Sequence, residues 1–113
     1  MNERSNKLLV DAVAAIDTIQ SFIGDATFDA YSANHLLRSA VERQLEILGE
    51  VSSQLDKLDA GWRDKITDLR LAVGLRNRII HGYDAVDDEM VFETVQRDLP
   101  GLRSSLIKYL PAA

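Results

Sequence analysis

LRSAVERQLEILGEVSSQLDKL, running from Leu37 to Leu58, carries apolar residues at Leu37, Val41, Leu45, Leu48, Val51, Leu55 and Leu58. Their steps of 4, 4, 3, 3, 4 and 3 keep all seven on one face of a helix of about six turns. A stripe of that length must be covered by other apolar faces. Upstream, Leu9, Ala12, Val13, Ile16, Ile19 and Ile23 recur at helical spacing from about Ser5 to Ile23, and Gly24 follows as a stop. Gly24-Asp25-Ala26-Thr27 then reads as a turn, with Thr27 able to cap a short helical segment through Ser32. Downstream, Asp59-Ala60-Gly61 breaks the pattern, and Trp62, Ile66, Leu69, Val73 and Ile80 mark a third helix that Gly82 can stop.

The acidic run Asp84 to Glu89 supplies a cap and a negative first turn for a fourth helix, whose stripe is Val91, Val95, Leu99, Leu102, Leu106 and Leu110. That stripe stays in phase across Pro100, although proline inside a helix costs about 3 kcal/mol. A kink, or two helices nearly end to end, is expected. No strand-like alternation appears. The expected fold is all-α: an antiparallel bundle of four helices, or five helical segments, in one domain spanning residues 1–113.

Gly49 interrupts the longest stripe, at a cost of about 1 kcal/mol relative to alanine. The compensation expected is close approach of another helix, from the same chain or from a partner.

A chain of 113 residues buries about two thirds of its unfolded surface, enough for a core without staples. Hydrophobic residues at 46% and charged residues at 27% exclude disordered and fibrous classes. The absence of cysteine excludes disulfides, thiolate metal sites and thiol nucleophiles, and it fits a reducing cytoplasm. The polar start, Met1 to Lys7, and the acidic breaks at Asp11 and Asp17 predict neither a signal peptide nor a membrane span, so a cytoplasmic protein is expected.

The net charge of −5 argues against a broad nucleic-acid footprint. From Trp62 to Arg78, however, five basic residues face two acidic ones. Any polyanion is expected to approach the third helix.

Chemistry concentrates at Leu75-Arg76-Asn77-Arg78-Ile79-Ile80-His81-Gly82-Tyr83. Arg76 is a permanent cation suited to bidentate phosphate binding, and His81 can give or take a proton near neutral pH. Asn77 can orient His81 or donate to phosphate, and Arg78 adds a neighbouring cation. Five residues apart on a straight helix, Arg76 and His81 point about 140° away from each other. Either the helix ends at Ile80 and His81 swings round, or a second subunit completes the site. RNA cleavage without a metal suits this set: a base takes the 2′-hydroxyl proton, that oxygen attacks phosphorus, an acid protonates the leaving 5′-oxygen, and a fixed cation stabilises the phosphoryl charge. The blander reading makes His81 a helix cap, Arg76 a structural ion pair and Tyr83 a ring packed on the turn. His35 is expected to be solvated, Trp62 to anchor the core, and Asp87-Asp88-Glu89 to serve a helix start rather than a metal.

Arg76-Asn77-x-x-x-His81-x-Tyr83 resembles the Arg-x4-His-x-Tyr signature of the HepT family in the HEPN superfamily of small helical ribonucleases. Leu45-Glu46-Ile47-Leu48-Gly49-Glu50 is similar to that family's Leu-Glu-Ile-Ile-Gly-Glu segment, and Leu99-Pro100-x-Leu102 to its final helix. One departure is Ala60-Gly61 before Trp62, where relatives often have proline.

The resemblance implies a HEPN-like bundle and a metal-independent endoribonuclease without cofactor. It implies a homodimer whose cleft carries Arg76 and His81 from both chains, acting on tRNA or mRNA rather than DNA. It further implies a toxin whose antitoxin, an MntA-like minimal nucleotidyltransferase, transfers AMP from ATP to Tyr83. The alternatives are a non-catalytic helical module that offers Tyr83 as the acceptor for such a nucleotidyltransferase, or a structural dimer without chemistry.

Overall fold

The computed structural model describes residues 3–82 and 86–110. α1 (Glu3–Ile23) buries Leu8, Leu9, Ala12, Val13, Ala15, Ile16, Ile19 and Ile23. It ends where Gly24 takes the left-handed conformation (φ 51°) and returns its N–H to the Gln20 carbonyl at 2.9 Å. α2 (Phe28–Ala33) starts on Thr27, whose hydroxyl accepts the Ala30 N–H at 3.2 Å. Asn34 closes α2 and opens α3 (His35–Leu58), its side-chain oxygen accepting the Leu37 N–H at 3.1 Å. The central five members of the apolar stripe, Val41, Leu45, Leu48, Val51 and Leu55, are buried as expected, while Leu37 is half-buried and Leu58 is exposed. The stripe is longer than the core it serves.

Two corrections concern the third helix. The chain does not run helically from Trp62 to Ile80 but forms α4 (Gly61–Lys65) and α5 (Leu69–His81), with Ile66 extended between them at φ −128°, ψ 90°. Ile66 is β-branched and Thr67-Asp68 follows it, so local helix preference is low. The extended turn lets the Ile66 side chain reach the core, where it is 1% exposed. The buried row of α5 is then Leu69, Ala72, Leu75 and Ile79, whereas Val73 and Arg76 are half-buried and Ile80 is exposed.

α6 (Asp88–Arg97) and α7 (Leu99–Ile107) meet end to end at Asp98, as the proline required. Pro100 falls in the first turn of α7, where a missing N–H costs nothing, and the Leu102 N–H bonds the Asp98 carbonyl at 3.1 Å. Among the described residues there are seven helical segments and no strand. None of the helices is long and apolar enough to cross a membrane.

Side-chain pairs fix the helix directions. Arg4 near the start of α1 bonds Gln54 near the end of α3. Asp56 late in α3 takes a two-point bond from Arg63 of α4 at 2.7 and 2.6 Å, and Glu50 lies 3.4 Å from Arg76 of α5. α3 is therefore antiparallel to both α1 and α5. Its buried face and theirs join one apolar cluster, capped by Trp62, which meets Tyr109 edge-on with ring centroids 5.3 Å apart. Lys65 Nζ sits 4.8 Å above the indole.

Candidate active site

α5 carries Arg76, Asn77, Arg78 and His81 on 13 residues of unbroken helix. The Gly82 N–H bonds the Arg78 carbonyl at 3.0 Å, and Gly82 is not left-handed (φ −111°, ψ 38°). The helix thus reaches through His81, so the alternative in which it stops at Ile80 and His81 swings round is not what forms. Hydrogen bonding up to Gly82 holds His81 in the helical direction, about 140° from Arg76. Tyr83 lies outside the described residues.

Arg76 is positioned by Gly49. A β-carbon on Gly49 would stand 2.3 Å from Arg76 Cβ and 2.9 Å from the Ala72 carbonyl oxygen. Only glycine lets α3 and α5 approach this closely, and the approaching helix belongs to the same chain. The half-buried guanidinium lies 3.4 Å from the Glu50 carboxylate and donates to Asn77 Oδ1 at 3.2 Å. It opens into a cleft of about 230 Å³ that Arg43, Glu46 and Ile80 also line. Its carboxylate partner is half exposed, and such a pair holds by less than about 1 kcal/mol, so a phosphate can displace it. Reading the sequence missed Glu50. The available signal was its place beside Gly49, at the point of closest helix approach.

His81 is exposed and opens into a different cleft of about 580 Å³, lined by Asn77, Arg78, Gly82, Val86, Asp87 and Met90. Asn77 joins the two sites: its oxygen accepts from Arg76 while the residue borders the histidine cleft. Arg78 has no carboxylate partner among the described residues. Asp87 caps α6, accepting the Glu89 and Met90 N–H groups at 3.0 and 3.2 Å. With Asp88 and Glu89 in the first turn, Asp87-Asp88-Glu89 serves the helix start as read from sequence. No group of acidic or histidine side chains among the described residues is arranged to hold a metal ion. His35 is the exposed first residue of α3.

The far wall of the histidine cleft is anchored by a polar cluster. Arg38 of α3 lies 3.6 Å from Asp88 and also donates to the Ser32 carbonyl. Burial, and then the charge of Asp88, raises the Glu42 carboxyl above its usual range, with Arg38 opposing. Burial likewise pushes the Tyr31 phenol upward, reinforced by Glu42 and Asp88. Tyr31 and Phe28 pack on Phe92 of α6, with centroids 5.4 and 5.7 Å apart. The start of α6, and so the Asp87 side of the cleft, is tied to α2 and α3.

Residues 13–109 match the model of a protein family described as ribonuclease HepT-like. The chain belongs to the HepT-like family. A probable ribonuclease HepT of Thermococcus cleftensis is 31% identical over 107 residues, covering 94% of this chain and 96% of that protein. A candidate RNase of Methanocaldococcus jannaschii is 29% identical over 109 residues, covering 94% and 97%. A second candidate RNase of the same organism is 28% identical over 102 residues, covering 90% and 87%. No solved structure matches the chain at a significant level. HepT-like membership agrees with the all-helical architecture and with the family resemblance carried by Arg76, His81, Tyr83 and Gly49.

Proposed function

We propose that this HepT-like protein is the toxin of a toxin–antitoxin pair, an endoribonuclease whose site assembles at the seam of a homodimer. The observation that carries this reading is the separation of Arg76 and His81: one rigid helix directs them into different clefts, so a single phosphate reaches both types of group only when a second copy contributes. In the composite site one His81 takes the proton from a ribose 2′-hydroxyl as that oxygen attacks phosphorus. The partner's His81 protonates the departing 5′-oxygen, leaving a 2′,3′-cyclic phosphate and a 5′-hydroxyl. Arg76 exchanges Glu50 for the phosphoryl oxygens as their charge builds, with Asn77 and Arg78 as further donors. The attack needs a 2′-hydroxyl, so RNA (tRNA or mRNA) is the substrate and DNA is not. The chain's own groups supply every proton transfer, and no cofactor enters the scheme.

Mixing the parent with an equal amount of His81→Ala protein and letting subunits exchange should halve the cleavage activity of the mixture. Half the dimers are then mixed and hold one histidine where two are needed, and parent dimers fall from a half to a quarter of the total. Unchanged activity, with exchange verified, would show that His81 does not act from both sides of a seam.

Control of the toxin rests on Tyr83, two residues beyond His81 in sequence. Its phenol oxygen attacks the α-phosphorus of ATP in the active site of a minimal nucleotidyltransferase antitoxin, releasing pyrophosphate and a proton and leaving AMP on the tyrosine. An anionic phosphate and an adenosine attached two residues from His81 in sequence then repel and obstruct RNA. Incubated with its antitoxin and ATP, the protein should gain the mass of AMP and lose RNA cleavage, whereas Tyr83→Phe should do neither. An unchanged mass for the unaltered protein would rule this control out.

A further inference from the structure

Gly49 has a structural reason to be glycine, but Gly74 has none among the described residues. It lies in the middle of α5, is exposed, and a β-carbon built on it would meet nothing within 4 Å. Its φ is not positive, so no turn requires it. Glycine in a helix interior is unfavourable relative to alanine, and an uncompensated one marks a place where something outside the chain comes close to the backbone.

The surroundings say what comes close. At 100° per residue, Arg70, Gly74, Asn77 and His81 fall within an arc of about 60° on α5, with Arg78 about 40° beyond its edge. All five are exposed. Gly74 and Arg70 line two clefts: one of about 240 Å³, also bordered by Asp56, Arg63 and Asn77, and one of about 230 Å³, also bordered by Arg78 and Thr94. Arg63 is committed to Asp56 by its two-point bond. Arg70 and Arg78 are left flanking the notch, with no hydrogen bond or ion pair of their own among the described residues. The stripe ends at His81, about 10 Å along the helix from Gly74.

We propose that Gly74, Arg70 and Arg78 form a backbone notch that seats the RNA strand next to the phosphate being cleaved. The notch takes the sugar-phosphate backbone without regard to base: the missing side chain admits a ribose close to the helix, and the two guanidinium groups bind the phosphates on either side. The two-fold axis of the composite site lies nearer His81; at Gly74 itself a second copy is the poorer occupant, because it would set Arg70 against its own equivalent. The proposal rests on the ribonuclease reading and adds the path of the substrate.

The test measures binding of a labelled single-stranded RNA of mixed sequence to His81→Ala protein, by fluorescence anisotropy over a series of salt concentrations. Gly74→Leu added to that protein is expected to weaken binding tenfold or more while raising the melting temperature, since leucine is a better helix former and has open space to occupy. Arg70→Gln is expected to lower the slope of log affinity against log salt by about 0.7, the contribution of one phosphate contact on a single strand. Unchanged affinity in Gly74→Leu, a lowered melting temperature, or its conversion from dimer to monomer by sedimentation would each overturn the notch. Cleavage by the unaltered protein, measured alongside, separates the two failures. If it cuts RNA and Gly74→Leu cuts and binds equally well, only the notch is wrong; if it cuts no RNA, the ribonuclease reading falls and the notch with it.

Discussion

Alanine at position 81 is expected to reduce RNA cleavage by about 10²–10⁴-fold, the usual worth of a positioned acid or base. The loss should come without unfolding. His81 is exposed at the last position of α5, and its side chain makes no hydrogen bond among the described residues. Removing it is therefore expected to leave the melting temperature nearly unchanged. Arg76→Ala should cost about 10²–10³-fold, as removal of one preorganised donor to developing charge does. Arg76→Lys should recover little of this, because an ammonium cannot make the two-point contact of a guanidinium. The measurement is the rate of appearance of 2′,3′-cyclic phosphate ends on a defined RNA, with a melting curve for each variant. Parent-like cleavage by His81→Ala would remove the histidine from the mechanism and leave the non-catalytic acceptor reading as the better one.

Gly49→Ala is expected to lower the melting temperature by several degrees, up to about 8 °C. The new β-carbon would stand 2.3 Å from Arg76 Cβ and 2.9 Å from the Ala72 carbonyl oxygen, and neither neighbour is the far end of a flexible side chain. α3 and α5 must separate, loosening the contacts of the helix-helix seam along its length. Overpacking of this kind costs about 1–3 kcal/mol or more, against which alanine returns about 1 kcal/mol of helix preference. The contact is with Arg76, so the turnover rate should fall together with stability. Gly74→Ala is the matched control, expected to raise the melting temperature because the same methyl group meets open space. Equal melting curves for Gly49→Ala and the parent would mean that the two helices slide past each other at no cost.

These two glycines show where sequence reading is strong and where it stops. Local rules identify both as costly inside helices, but only the packed structure tells that one faces a neighbouring helix and the other faces nothing. The same limit applies to the register of α5. Leu69, Val73, Arg76 and Ile80 form one helical row, and Leu69, Ala72, Leu75 and Ile79 form another. Both satisfy helical periodicity, but packing buries the second in the apolar cluster and leaves Val73 and Arg76 half-buried at its flank, with Arg76 over Gly49 of α3. Glu50 as the counter-ion of Arg76 depends on the antiparallel pairing of helices more than twenty residues apart, which no local spacing encodes.

The sequence by itself determined the helices, most of their caps and the chemistry available. The left-handed stop at Gly24, the Thr27 cap, the Asp87 cap and the division at Pro100 all depend on bonds within a few residues, and short-range rules decide such bonds. The Arg-x4-His-x-Tyr spacing, together with the Leu45–Glu50 segment and Leu99-Pro100-x-Leu102, likewise pointed to the ribonuclease family. Tertiary structure decided the break at Ile66, where burying one side chain outweighed continuing a helix of weak local preference. It also decided that Arg76 and His81 stay on opposite sides of α5, because the hydrogen-bonded helix persists to its glycine cap. Directions in space come from packing and from helix continuity, and these are properties of the whole chain.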